Sequence, residues 1–166
     1  MTANHLDYLW TFDDYRQRLQ HENYFVRNWA FDRIKEQYPE QKTQAAAYLI
    51  GDSNRHLNTE AIRALGKLGG EANEEILLAM RSTNDDSNQR GWITLALAEM
   101  HSTTLLPELL AEVQALDLST VSPYGFPLAY AAIESLGFYN EPAATALLWQ
   151  LLATYSLDDR FAEHIV

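Results

Sequence analysis

A histidine followed directly by a carboxylate supplies two ligands of the type that binds iron or zinc, and the 166-residue chain contains one such pair, His21-Glu22. The remaining histidines, His5, His56, His101 and His164, are not followed by Glu. Several ligands at matching positions are therefore not available, and a metal centre is not expected. The chain has no cysteine, which removes thiol nucleophiles, Cys-based zinc sites and iron–sulfur clusters and suits a reducing compartment. Paired carboxylates occur at Asp13-Asp14, Asp85-Asp86 and Asp158-Asp159. General acid–base work would require two of them to converge. Each pair instead opens a helical stretch, where negative charge complements the helix dipole. There is no His-Glu-x-x-His motif and no glycine-rich phosphate loop following a strand. Ser and Thr cluster at helix starts and over residues 119–122, without a His at triad spacing. The expectation is no catalytic residue, no metal and no cofactor. What remains is recognition chemistry, carried by Arg, Trp, Tyr and carboxylates, and its placement depends on the elements that display it.

Those elements repeat. Val26, Ala30 and Ile34 align with Leu57, Ala61 and Leu65, then with Gln89, Ile93 and Leu97, and again with Leu128, Ala132 and Leu136. Four-residue steps put each triplet on one helical face. The central positions 30, 61, 93 and 132 are 31, 32 and 39 residues apart, a period that signals an array of like units. Seven residues before each centre stand Asn23, Asn54, Asp86 and Gly125, all residue types favoured as N-caps. Pro39, Gly69-Gly70 and Asn140 with Pro142 follow as stop signals, and Gly66, Gly69 and Gly70 are read as helix-end glycines. An amphipathic stretch precedes each of these helices: Trp10 to Gln20, Glu40 to Ile50, Ala72 to Arg81 and Thr104 to Leu116. The unit is thus a helical hairpin, whose apolar faces need neighbouring hairpins to cover them.

Five hairpins are expected, at about 8–38, 39–69, 70–101, 102–139 and 140–166, forming one domain over residues 1–166. The extra length before the fourth centre falls in Asp117 to Pro127, rich in Ser, Pro and Gly and read as a loop. In the fifth unit the second helix, Arg160 to Val166, is short. Leu147, Leu148, Leu151 and Leu152 then present an apolar end that a downstream domain or a second copy of the chain would cover.

The order aliphatic-Arg-x-x-Ala, with a further aliphatic residue four positions on, resembles the HEAT repeat, specifically its short PBS-lyase-like variety. Val26-Arg27-Asn28-Trp29-Ala30 and Ala61-Ile62-Arg63-Ala64-Leu65-Gly66-Lys67-Leu68-Gly69 carry the resemblance best. The third unit departs from it at Gln89 and Ile93. The resemblance implies an all-α fold, an α-solenoid superhelix of about five stacked antiparallel hairpins, with the second helices lining a concave face. On that face the candidate binding residues are Arg27, Trp29, Asp32, Glu60, Arg63, Arg90, Trp92, Tyr130 and Glu134. Trp, Tyr and Arg are favoured at protein-binding surfaces. Trp29 and Trp92 equally suit inter-repeat core, and Arg27 and Arg90 equally suit pairing with loop acids such as Glu22, Asp85 or Asp86.

Composition narrows the partner. The formal charge is −11, with 12 Lys and Arg against 23 Asp and Glu, which disfavours a phosphate backbone. Residues 1–83 hold 10 basic and 12 acidic side chains, whereas residues 84–166 hold 2 and 11. The acidic second half favours a basic or mixed-charge partner. The nearly apolar stretch Ala143 to Tyr155 is too short to span a bilayer, and Met1 to Leu9 show no secretory pattern. A cytoplasmic, non-catalytic protein-binding scaffold is the expected function. The alternative implied by the resemblance is a chromophore-handling protein similar to bilin lyases, or another enzyme on this fold. HEAT-like hydroxylases need several His-Glu pairs where this chain has one, and HEAT-like DNA glycosylases need a cationic groove.

Overall fold

The computed structural model describes residues 10–116 and 128–155. Among them are nine α-helices and no strand: α1 (Phe12–Arg18), α2 (Tyr24–Gln37), α3 (Lys42–Leu49), α4 (Arg55–Leu68), α5 (Glu71–Thr83), α6 (Ser87–Glu99), α7 (Leu106–Gln114), α8 (Leu128–Leu136) and α9 (Pro142–Tyr155). The expected loop at Asp117 to Pro127, the Gly125 cap and the helix at Arg160 to Val166 lie outside the described residues.

Local chemistry sets the helix starts. The Asn23 Oδ1 accepts from the Phe25 N–H at 2.9 Å, and the Asn54 Oδ1 from the N–H groups of His56 and Leu57 at 3.1 and 3.2 Å. The Asp86 carboxylate accepts from the N–H groups of Asn88 and Gln89 at 3.0 and 3.2 Å. Each satisfies donors that the first turn leaves without helical partners. The Asp13-Asp14 pair also serves helix initiation. Thr11 and Asp14 form a reciprocal capping box, and the Thr11 N–H and hydroxyl hold the Asp14 carboxyl below its ordinary range. The helix α3 is preceded by a 3-10 turn over Pro39–Gln41 that begins at the proline.

Two of the glycines read as helix ends behave so: Gly69 and Gly70 have φ of 65° and 92°. Gly66 does not. It lies inside α4, where an added Cβ would stand 2.8 Å from both Cα and Cβ of Ala96 on α6. Its role is close helix approach, not a left-handed turn.

The chain divides into two compact units, Met1–Leu65 and Gly66–Val166. In the first, α2 packs on α1 and α3, burying Tyr15, Phe31, Ile34 and Leu49 almost completely. In the second, α6 packs on α5 and α8, and α8 packs also on α7 and α9, around Leu77, Ile93, Leu97, Leu109, Ile133 and Leu136. Each such side chain contributes about 1.5–3 kcal/mol on burial. The four repeat centres Ala30, Ala61, Ile93 and Ala132 are all buried, so the third unit keeps the register despite its larger residue. Antiparallel hairpins that cover one another's apolar faces make this an all-α fold of the α-solenoid class.

Candidate functional site

The first candidate, Arg27, is 8% exposed and is not a surface contact. Its Nε and Nη2 donate to the two carboxylate oxygens of Asp52, each at 2.7 Å. Its Nη1 donates to the carbonyls of His21 and Glu22, each at 2.7 Å. One guanidinium thus ties the loop before α2 to the loop before α4. Burial by itself would raise the Asp52 carboxyl. The Arg27 guanidinium and the Asn54 N–H outweigh that effect and hold it below the usual carboxylate range. His21 belongs to the same loop, where its Nδ1 accepts from the Asn23 N–H at 3.0 Å. No group of three or more His, Asp or Glu stands together as a metal-binding set among the described residues.

Trp29 is half-buried. Its ring meets Trp10 edge-on at 5.2 Å and Tyr15 at 5.5 Å, and the Arg18 guanidinium lies 3.8 Å from the centre of the Trp10 ring. It is part of an aromatic cluster that closes the first hairpin. Beyond it, three candidates from two helices do converge. The Lys35 Nζ sits 2.8 Å from the Asp32 carboxylate on its own helix and 3.7 Å from the Glu60 carboxylate on α4. Glu60 in turn lies 3.7 Å from the Arg63 guanidinium. The side chains in this chain of alternating charge are between a third and a half exposed. Lys35, which links them, was missed in the sequence. Its signal in the sequence is the three-residue step from Asp32 on the same helix; its reach to Glu60 is a tertiary contact.

In the second unit Tyr130 is buried on α8, at 5% exposure, and like Arg27 is withdrawn from any surface. Trp92 on α6 is half-buried, and Glu134 on α8 is exposed. Arg90 lies 3.7 Å from the Glu112 carboxylate of α7, not beside Asp85 or Asp86. That carboxylate chiefly serves another residue, Arg81 at the end of α5, whose guanidinium is 4% exposed. Arg81 donates to Glu108, to both oxygens of Glu112 at 2.7 Å, and through Nε to the Thr94 hydroxyl at 3.1 Å. Burial alone would lower the Arg81 pKa. The two carboxylates more than offset it and raise the value. The signal overlooked in the sequence is the Glu108 and Glu112 spacing, which puts two carboxylates on one face of α7.

Residues 12–98, more than half of the chain, match the family model for HEAT repeats. The chain belongs to the HEAT-repeat family. None of the curated proteins compared matches it. The matched HEAT segment runs from α1 to the end of α6, so it includes the α2 and α4 network and ends before α7. Within that segment Arg27 is a loop tie, and Asp32, Lys35, Glu60 and Arg63 are left partly accessible.

No helix among the described residues is long and apolar enough to cross a membrane. The second unit also carries a cavity of about 360 Å³ between the end of α8 and one face of α9. Tyr139 forms part of its wall. The hydroxyl of Tyr139 donates to the Ser102 carbonyl at 2.9 Å, and burial, aided by the Glu74 carboxylate, pushes its pKa up to about 12. That hydroxyl stays protonated and structural at ordinary pH.

Proposed function

We propose that the chain is a non-catalytic protein-binding scaffold, with the second-helix face of α2 and α4 as its contact surface. The observation that supports this reading is the Asp32–Lys35–Glu60–Arg63 network. It crosses two helices and remains partly open to water. Exposed ion pairs of this kind add at most about 1 kcal/mol each to stability, so they can exchange partners at little cost. Their alternating sign selects a partner by charge complementarity. HEAT repeats supply the architecture, and recognition is left to surface residues of this type. The partner is a protein of basic or mixed charge, because the overall charge of −11 opposes nucleic acid. The chain would act in the cytoplasm.

Placing a photo-crosslinking residue at Arg63, in the full chain and in cells, tests this reading. A discrete protein adduct is expected there, and none from Gln44 on α3. Glu60→Lys should abolish the adduct while leaving the thermal melt unchanged. A chain purified with a bound tetrapyrrole or other small molecule, and giving no adduct from Arg63, would overturn the scaffold reading in favour of chromophore handling.

A further inference from the structure

The apolar face left open in the second unit is a groove whose lining includes Asn140 and Thr145 but no charged side chain. Leu136, Phe138 and Tyr139 form one wall, and Leu148, Trp149 and Leu152, on one face of α9, form the other. Phe138 is 38% exposed and Trp149 66% exposed, the latter close to the most exposed of the large apolar side chains. The adjoining face of α9, Ala144, Leu147 and Leu151, is buried, so the helix is held in place along one side while Trp149 on its flank stays available. The exposed carboxylates Glu134 and Glu141 bracket the α8–α9 corner in sequence. No Lys or Arg occurs between Arg90 and Arg160, and Arg90 itself lies against Glu112. An aromatic-walled cleft lined by no Lys or Arg, on a stretch of chain rich in carboxylates, selects an occupant that has apolar anchors and positive charge together.

We infer that this groove is a second docking site, for a short segment of a partner protein that carries one or two apolar anchor residues flanked by Lys or Arg. A cleft of about 360 Å³ is at the small end of the range for enclosed ligands and suits one or two side chains. The anchors fill the space between Phe138 and Trp149. A flanking Lys or Arg lies over the exposed Trp149 ring, where cation–π attraction is strongest among the aromatic residues, and others face Glu134 and Glu141. A second copy of this chain is a poor occupant, because a two-fold contact sets the same patch against itself and would bring two copies of the same carboxylate-rich stretch together. This site is separate from the α2–α4 face and does not depend on it.

The test uses the 166-residue chain and a fluorescently labelled peptide of about twelve residues with Leu at every third or fourth position and Lys elsewhere, read by anisotropy. A control peptide keeps the leucines and replaces Lys by Glu. The basic peptide is expected to bind at least tenfold more tightly than the acidic one. Trp149→Ala should weaken its binding at least tenfold without moving the thermal melt, since the side chain is two-thirds solvated. Glu141→Lys should weaken it severalfold, and Glu60→Lys should leave it unchanged. Equal affinity of the two peptides, no binding by either, or binding insensitive to Trp149→Ala overturns the proposal, the last because it reports diffuse ionic adhesion. Sedimentation showing a dimer that Trp149→Ala dissociates assigns the groove to a second copy instead. Binding that appears only in Phe161→Asp assigns it to residues 156–166 of the chain itself, and either result also defeats the proposal.

Discussion

Arg27 and Arg81 show how the same side chain has opposite energetic consequences depending on what is left behind when its pair is broken. The side chains of Asp52 and Arg27 are 7% and 10% exposed, so removing the carboxylate strands a buried cation. Asp52→Asn is expected to cost roughly 3 kcal/mol at pH 7 in urea unfolding. Because the folded Asp52 pKa is depressed, its stabilisation is complete above the unfolded value of about 3.9 and is lost as pH falls through the folded value. The gap between parent and Asp52→Asn should therefore close below about pH 4. A gap that stays constant to pH 2 would show that the pair is not the source. At Arg81 the asymmetry is sharper, since its partners Glu108 and Glu112 are 56% and 27% exposed and the guanidinium only 4%. Arg81→Met leaves two carboxylates that reach water and should cost about 1 kcal/mol, whereas Glu108→Gln combined with Glu112→Gln leaves the cation unpaired and should cost roughly 3–5 kcal/mol. Chemical denaturation that ranks these variants in the reverse order contradicts the burial argument.

At the scale of elements, the helices meet through small residues. Gly66→Ala raises helix propensity by about 1 kcal/mol, yet its Cβ would lie 2.8 Å from Cα and Cβ of Ala96. Overpacking of that kind costs about 1–3 kcal/mol, so a net loss of thermal stability is expected. A rise in melting temperature would mean that α4 and α6 separate easily at this point. Ala61→Leu, at a repeat centre that is fully buried, should lose a similar 1–3 kcal/mol, measured by the same melt. A neutral Ala61→Leu would indicate that the buried face of α4 has been assigned to the wrong residues. The helix ends were legible because N-caps act within three residues, as at Asn23, Asn54 and Asp86. Gly66 was misread because its constraint comes from a residue thirty positions away on another helix.

For the whole molecule the uneven charge is the governing property. Residues 84–166 carry 11 acidic side chains and 2 basic ones. Self-repulsion there opposes compactness, and salt screens it over about 8 Å at 0.15 M ionic strength. Raising sodium chloride from 0.02 to 0.3 M is expected to increase the melting temperature by several degrees, followed by circular dichroism. A fall would mean that ion pairs such as those of Arg81 outweigh the repulsion. The same asymmetry underlies the positive charge proposed for the occupant of the α9 groove, whereas the proposed α2 and α4 contact surface is of mixed sign.

Sequence alone determined the helical repeat, its register, the N-caps at Asn23, Asn54 and Asp86 and the charge distribution, because each depends on residue types at short, fixed separations. Only the tertiary structure decided that Arg27 and Tyr130 are buried, that Lys35 joins Asp32 to Glu60, that Arg81 is clamped from α7, and that one face of α9 stands open beside Phe138. These outcomes depend on which helices come into contact and at what depth. Burial of a charged or aromatic side chain is decided by the free energy of its final surroundings, and those are supplied largely by residues on other helices and loops.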